Sequence, residues 1–173
     1  ISHGWGSTSK DNWFPWLKNE LEKKGFEVCC PDLPNSQYPK EEEWVKAAMK
    51  LSPFDENTIF IGHSLGCALI MRILEKLDSP VKAYFFVSAF DKSLGINDIK
   101  DFFKWGFNYW KIKTGAKKKY ILNSDNDPLV PLDIAQRLSR MIDAKLIVFK
   151  NKEHLSAGTD NFRFPELLEL ITK

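Results

Sequence analysis

The sequence predicts an α/β fold, with one mostly parallel sheet of about six strands covered by helices on both faces. Three observations lead there. Short apolar, β-branched runs alternate with amphipathic segments along the whole chain, with no internal repeat and no low-complexity linker. The runs are continuously apolar, as expected of strands buried on both sides. The 173 residues, 43% hydrophobic and 28% charged, suit a single domain, residues 1–173, with one sizeable core.

Taken in order, a first strand ends at about Ile1 and is followed by a loop over 3–10. No Met and hardly any strand precede His3-Gly4, so further residues are expected before Ile1. No signal peptide is visible in the residues given. Residues 11–24 read as a helix, with Phe14, Leu17 and Leu21 on one face and Gly25 as its stop. Residues 26–30 read as a strand closed by the Pro31 to Pro34 loop signal. Pro39 opens a helix with Glu41, Glu42 and Glu43 in its first turn and Lys50 near its end, a polarity that suits the helix dipole. Strands are predicted at 58–61, 81–87, 120–122 and 145–149. Helices are predicted at 67–77, around Ile134, Leu138, Met141 and Ile142, and from Pro165 onward. Ligands in such sheets sit at the carboxyl ends of the strands.

Composition excludes several classes of function. A formal charge of +2 with no basic stripe argues against nucleic acid, and Lys117-Lys118-Lys119 reads as a solvated lead-in to a strand. No apolar run is long enough to span a membrane. Three cysteines make no disulfide framework and read as buried thiols, which favours a reducing, cytoplasmic setting. With no CxxC and three dispersed histidines, neither a metal site nor a cofactor is expected.

The strand at 58–61 runs directly into Gly62-His63-Ser64-Leu65-Gly66, and a helix follows. This is G-x-S-x-G in its strand–turn–helix setting. The glycines let helix and strand backbones approach without a Cβ between them. The turn exposes the Ser64 hydroxyl at a helix N-terminus, where orphan N–H groups favour negative charge. Ser64 is therefore the expected nucleophile, the alternative being a Gly-rich packing turn. A serine hydroxyl needs a base to take its proton. His63 adjoins Ser64 in a sharp turn, where neighbouring side chains diverge, and reads as a structural hydrogen-bonding group. His3 reads as a loop brace. His154, after the last strand, is the expected base, set against the reading of a surface loop histidine.

Three carboxylates are open as the group that orients the base: Asp127 and Asp125 after the 120–122 strand, and Asp91 after the preceding one. The order Ser, Asp, His agrees with the α/β-hydrolase arrangement. An oxyanion would need two backbone donors, expected from the N–H groups of Leu65 and Trp5.

Several of these stretches, together with Val87-Ser88-Ala89, Asp127-Pro128 and Trp13-Phe14-Pro15-Trp16-Leu17, resemble the small hydrolases related to retinoblastoma-binding protein 9. The likeness covers nearly the whole chain. It implies a three-layer α/β-hydrolase fold without the large cap of bigger relatives, and it selects Asp127, with Ser64 and His154, as the triad. No Leu-x-Cys-x-Glu motif is present, so no protein partner is carried over. The leading expectation is cleavage of a small or medium ester, or an amide, through an acyl-enzyme. Acyl transfer and a weakly catalytic binding role are the alternatives, and a complete triad argues against a pure receptor. The aromatic residues of segment 102–110 either pack as core or wall a substrate slot.

Overall fold

The structure, a computed structural model, describes residues 1–156 and 163–173. Strands β1 (Ile59–His63), β2 (Val81–Val87), β3 (Ala116–Ser124) and β4 (Lys145–Phe149) form one parallel sheet in the order β1-β2-β3-β4. The helices are α1 (Phe14–Lys23), α2 (Glu41–Met49), α3 (Leu65–Lys76), α4 (Tyr109–Thr114), α5 (Leu132–Ile142) and α6 (Pro165–Thr172), with a 3₁₀ helix over Asn97–Phe103.

Strand order equals chain order, so right-handed crossovers put the connecting helices α3, α4 and α5 on one face. Helix α2 joins them there through Trp44, Val45 and Ala48. Helices α1 and α6 cover the other face. Strand β2 serves both layers. Tyr84 and Phe86 point into the α2–α5 side, while Ala83, Phe85 and Val87 point toward α1 and α6. This is the period-two geometry of a strand in a run that is apolar on both sides.

The sheet has four strands where the sequence predicts about six. Residues 26–30 lie outside any strand. Ser2 makes a single parallel bridge with Gly62, and the Ile1 ammonium donates to the Cys29 carbonyl at 2.7 Å. A cleft of about 550 Å³ at the β1 edge is lined by Phe26, Val28, Ile59, Ile61 and Ile70 among others. Strand β3 starts earlier than predicted, with Lys118 and Lys119 in register with Ala83 and Tyr84. Lys117 and Lys118 are exposed, so they pair through the backbone while their side chains reach water, and Lys119 Nζ donates to the Lys113 carbonyl at 3.2 Å and pairs with Asp143 at 3.4 Å. Helix α1 starts at Phe14 because the Asp11 carboxylate is taken up by the preceding turn, accepting from Ser7 Oγ, Thr8 N and Thr8 Oγ1.

The 90–117 insert is held from below by Arg72 of α3. Its guanidinium donates to Glu41 at 2.9 Å, Glu75 at 3.0 Å, and the carbonyls of Gly106 and Phe102 at 2.6 and 2.9 Å, and it lies 4.1 Å from the Phe107 ring centroid. Phe102 is fully buried and meets Trp44 edge-on at 5.2 Å. Trp105 and Trp110, by contrast, are 81% and 67% exposed. The insert is thus two short helices fastened to the domain, with no separate cap. Among the described residues no helix is long and apolar enough to cross a membrane. Arg72→Ala would strand two part-buried carboxylates, and it is expected to lower the unfolding free energy by about 3 kcal/mol in urea titrations.

Candidate active site

The carboxyl ends of β1 and β2 meet at Ser64, and the loops after β3 and β4 join them through the contacts of His154 with Asp127, His63 and Ser88. A Cβ on Gly62 would stand 2.9 Å from both Cα and N of Cys67, and one on Gly66 would stand 2.4 Å from the Ser2 carbonyl oxygen. Backbones pack too tightly at both positions for any side chain. The turn between them sets Ser64 at φ 55°, ψ −123°, a conformation that costs about 1–3 kcal/mol for a residue with a Cβ. The Ser64 N–H donating to Val87 O at 2.8 Å helps to hold it. Ser64 is the N-cap of α3, yet its hydroxyl makes no capping hydrogen bond. The Leu65 N–H, first in the helix, has no intrahelical acceptor.

His154 and Asp127 are brought together. His154 Nδ1 stands 3.0 Å from each Asp127 carboxylate oxygen. Asp127 Oδ1 also accepts from the N–H groups of Leu129 and Val130, both at 2.9 Å. Burial pushes the Asp127 carboxyl up, but the His154 hydrogen bond and charge and the two amides outweigh it and hold the group below the usual carboxylate range. An ionised Asp127 puts the His154 proton on Nδ1 and leaves Nε2 with a lone pair. Among the described residues no hydrogen bond joins Ser64 Oγ to His154. What links the two is His63, whose ring centroid lies 5.0 Å from that of His154.

The other two aspartates are engaged elsewhere. Asp125 Oδ1 accepts from Asn151 N at 2.8 Å. Asp91 is buried in an ion pair with Arg137 and accepts from Tyr109 Oη at 2.6 Å, joining the end of β2 to α4 and α5. Burial, followed by the Asp91 hydrogen bond, pushes the Tyr109 phenol up to about 12.

His3, fully buried, donates from Nδ1 to the Gly4 carbonyl and accepts at Nε2 from Leu33 N, both at 2.9 Å. Those two bonds fix the loop carrying Trp5. A Cβ on Gly4 would lie 2.9 Å from Ser64 Cβ and 3.5 Å from its Oγ, so the loop backbone passes directly over the serine. The Trp5 indole turns away to donate to the Gln37 carbonyl at 2.8 Å.

Sequence reasoning missed the support of the His154 loop. Ser124 Oγ, Asp125 Oδ1 and Asn126 Oδ1 accept from the N–H groups of Lys152, Asn151 and Glu153 at 2.8, 2.8 and 2.9 Å. The indole of Trp13 donates to the Leu155 carbonyl at 2.9 Å. The run of short polar residues from Asn123 to Asp127 was the one available signal. Among the described residues no group of three His, Cys, Asp or Glu side chains is placed to hold a metal ion.

A family model described as serine hydrolase matches residues 1–173. The chain belongs to the serine hydrolase family. Within it, YdeN of Bacillus subtilis (strain 168) is 32% identical over 99% of this chain and 93% of its own length. The crystal structure of that gene product superposes with a TM-score of 0.93 at 31% identity, covering 99% of this chain and 95% of its own. Serine hydrolase RBBP9 of Rattus norvegicus is 28% identical over 98% of this chain and 89% of its own length. The meta-cleavage product hydrolase of Pseudomonas fluorescens IP01 shares the fold at a TM-score of 0.65 and 17% identity, covering 89% of this chain and 82% of its own. The architecture of this serine hydrolase is accordingly that of the α/β hydrolases.

The depressed Asp127 carboxyl has a consequence for acid stability. A carboxylate whose native pKa lies below its unfolded value contributes stability above the unfolded value and loses it as pH falls through the native one. The stability difference between the wild type and Asp127→Asn is therefore expected to shrink as pH is lowered through the carboxylate range. Urea titrations at a series of pH values measure it, and a gap that widened toward acid would contradict the assignment.

Proposed function

We propose that this serine hydrolase cleaves a small or medium ester, or an amide, through an acyl-enzyme, with Ser64 as nucleophile, His154 as base and Asp127 orienting the base. The observation that carries the reading is the uncommitted Ser64 hydroxyl at a strained strand–helix turn, together with an imidazole that is tied by Nδ1 to a buried carboxylate and whose backbone carbonyl is held by His63, the neighbour of Ser64.

Ser64 Oγ attacks the acyl carbon while His154 Nε2 takes the hydroxyl proton. The oxyanion is received by the backbone N–H groups of Leu65 and Trp5. Support for the second donor is the closeness of the Gly4 backbone to Ser64. The intermediate collapses, and the leaving alcohol or amine takes the proton from His154. Water, deprotonated by His154, then attacks the acyl-enzyme and releases the acid and Ser64. The chain's own residues suffice for each step, and the proposed substrate is a small molecule. The fastened, capless 90–117 insert supports short or medium acyl groups. A cytoplasmic setting is part of the same proposal, although of the three thiols expected to be buried only Cys67 is, Cys29 being exposed and Cys30 intermediate.

A fluorophosphonate probe is expected to label the protein once, on Ser64. Ser64→Ala should abolish labelling and lower turnover of a chromogenic ester by at least about 10³-fold. Labelling of the alanine variant at the wild-type rate would refute the nucleophile.

The choice of acid is tested separately. Asp127→Asn should lose most of kcat, about 10³- to 10⁴-fold. Asp125→Asn and Asp91→Asn should lose far less, because those carboxylates hold a loop and an ion pair. Activity should also survive prolonged treatment with EDTA.

A further inference from the structure

His63 presents a structural puzzle, being a fully enclosed imidazole beside the nucleophile. One ring nitrogen, Nε2, lies 3.0 Å from the backbone carbonyl oxygen of His154. The other, Nδ1, is buried without any hydrogen-bond partner. A carbonyl only accepts, so Nε2 carries the proton and Nδ1 holds a bare, unpartnered lone pair. Burial first, and the neighbouring His154 second, pull the His63 pKa down to about 3. The groups facing it are Trp13, which caps α1, and Phe14 of α1, both edge-on at 5.9 Å, with His154 and Asp127 from the loops. It therefore stays neutral, in a single tautomer. An apolar side chain would leave no orphan nitrogen here, so the site sacrifices one polar atom to obtain one N–H donor.

That donor does not act alone. Ser88, buried at the end of β2 with φ 51°, donates from Oγ to the same His154 carbonyl at 3.1 Å. His63 ends β1 in register with Val87, the last residue of β2, and Ser88 follows directly, so the register fixes their spacing. We propose that His63 and Ser88 are positioning residues, which grip the His154 backbone carbonyl and so set where its imidazole stands relative to Ser64. The inference rests on the proposed role of His154 as base. Neither side chain touches substrate in this scheme. Their effect falls on the proton-transfer geometry and so on kcat, with KM left nearly alone.

The test uses Ser88→Ala, His63→Leu and His63→Gln, the last offering an amide N–H where Nε2 stood. Thermal melts and circular dichroism establish folding, and active-site titration normalises each rate. Ser88→Ala and His63→Leu are expected to lower kcat by about 10- to 100-fold, as small misplacements of reacting groups do. KM should stay within about threefold, and fluorophosphonate labelling of Ser64 should slow in parallel. His63→Gln should recover most of the loss incurred by His63→Leu. Should His63→Leu fail to fold, Ser88→Ala decides, since it removes one hydroxyl and leaves the elbow untouched. Folded variants with wild-type kcat, or with a loss confined to KM, would overturn the proposal. His154→Ala is the control on the underlying reading: if it labels as fast as the wild type, the base assignment itself fails. If only the His63 and Ser88 variants do so, this inference alone fails.

Discussion

Residues 151–155 have no helix or strand to satisfy their backbone, and the segment runs from exposed positions at 151–153 to the half-buried His154 and the buried Leu155. At the inner end the His154 and Leu155 carbonyls must be paired or carry a heavy cost, while at the exposed end pairing fixes the path of the chain. Side chains do the pairing on both sides. Ser124, Asp125 and Asn126 take the three successive N–H groups of Lys152, Asn151 and Glu153, while His63, Ser88 and Trp13 take the next two carbonyls. Asn151, Glu153 and Leu155 all have positive φ, between 47° and 54°. The path is unfavourable for residues with a Cβ, and it persists because six side chains and the buried Leu155 anchor over-determine it. The His154–Asp127 contact depends on this loop being held in place.

The elbow under Ser64 solves the complementary problem by excluding side chains. At Gly62 and Gly66 the helix and strand backbones leave no space for a Cβ, so strand β1, helix α3 and the first loop lock into one relative position. The Ser64 N–H bond to Val87 O and the Ser88 bond to His154 O then tie that position to the end of β2. Strand ends, elbow and loop form one rigid constellation, which is what rate enhancement by orientation requires.

Much of this was legible in the sequence where the signal is local. The Gly62–Gly66 turn is contiguous and its strand and helix flank it, so the elbow that carries Ser64, the proposed nucleophile, could be read directly. Strands β2 and β4 match their predicted ranges because both lie between clear helices. The two misreadings at the sheet have opposite causes. Residues 26–30 have the composition of a strand but no ladder partner, whereas Lys117-Lys118-Lys119 has the composition of a loop but finds one in β2. Asp91 looked like a possible acid by position alone, and only the fold reveals Arg137 and Tyr109 around it. The grips on the His154 loop were not legible. They join residues 91, 66 and 142 apart in the chain, through donors that propensity and periodicity treat as ordinary.

The pairing of two histidines at one site has an electrostatic logic of its own. In the proposed reaction His154 becomes cationic when it takes the serine proton, with the His63 ring centroid only 5.0 Å away. Were His63 also charged, two cations at that distance would repel by about 3 kcal/mol at an effective dielectric near 20. That is enough to undo roughly a hundredfold of catalysis. Enclosure by Trp13 and Phe14 prevents this by keeping His63 neutral down to a pKa of about 3. Burial therefore makes an imidazole tolerable as a donor beside the proposed base, where an ammonium or guanidinium would oppose the charge that must form. The two rings carry their protons on opposite nitrogens, Nε2 on His63 and Nδ1 on His154. Each tautomer is set by an acceptor-only partner, a carbonyl for the first and a carboxylate for the second.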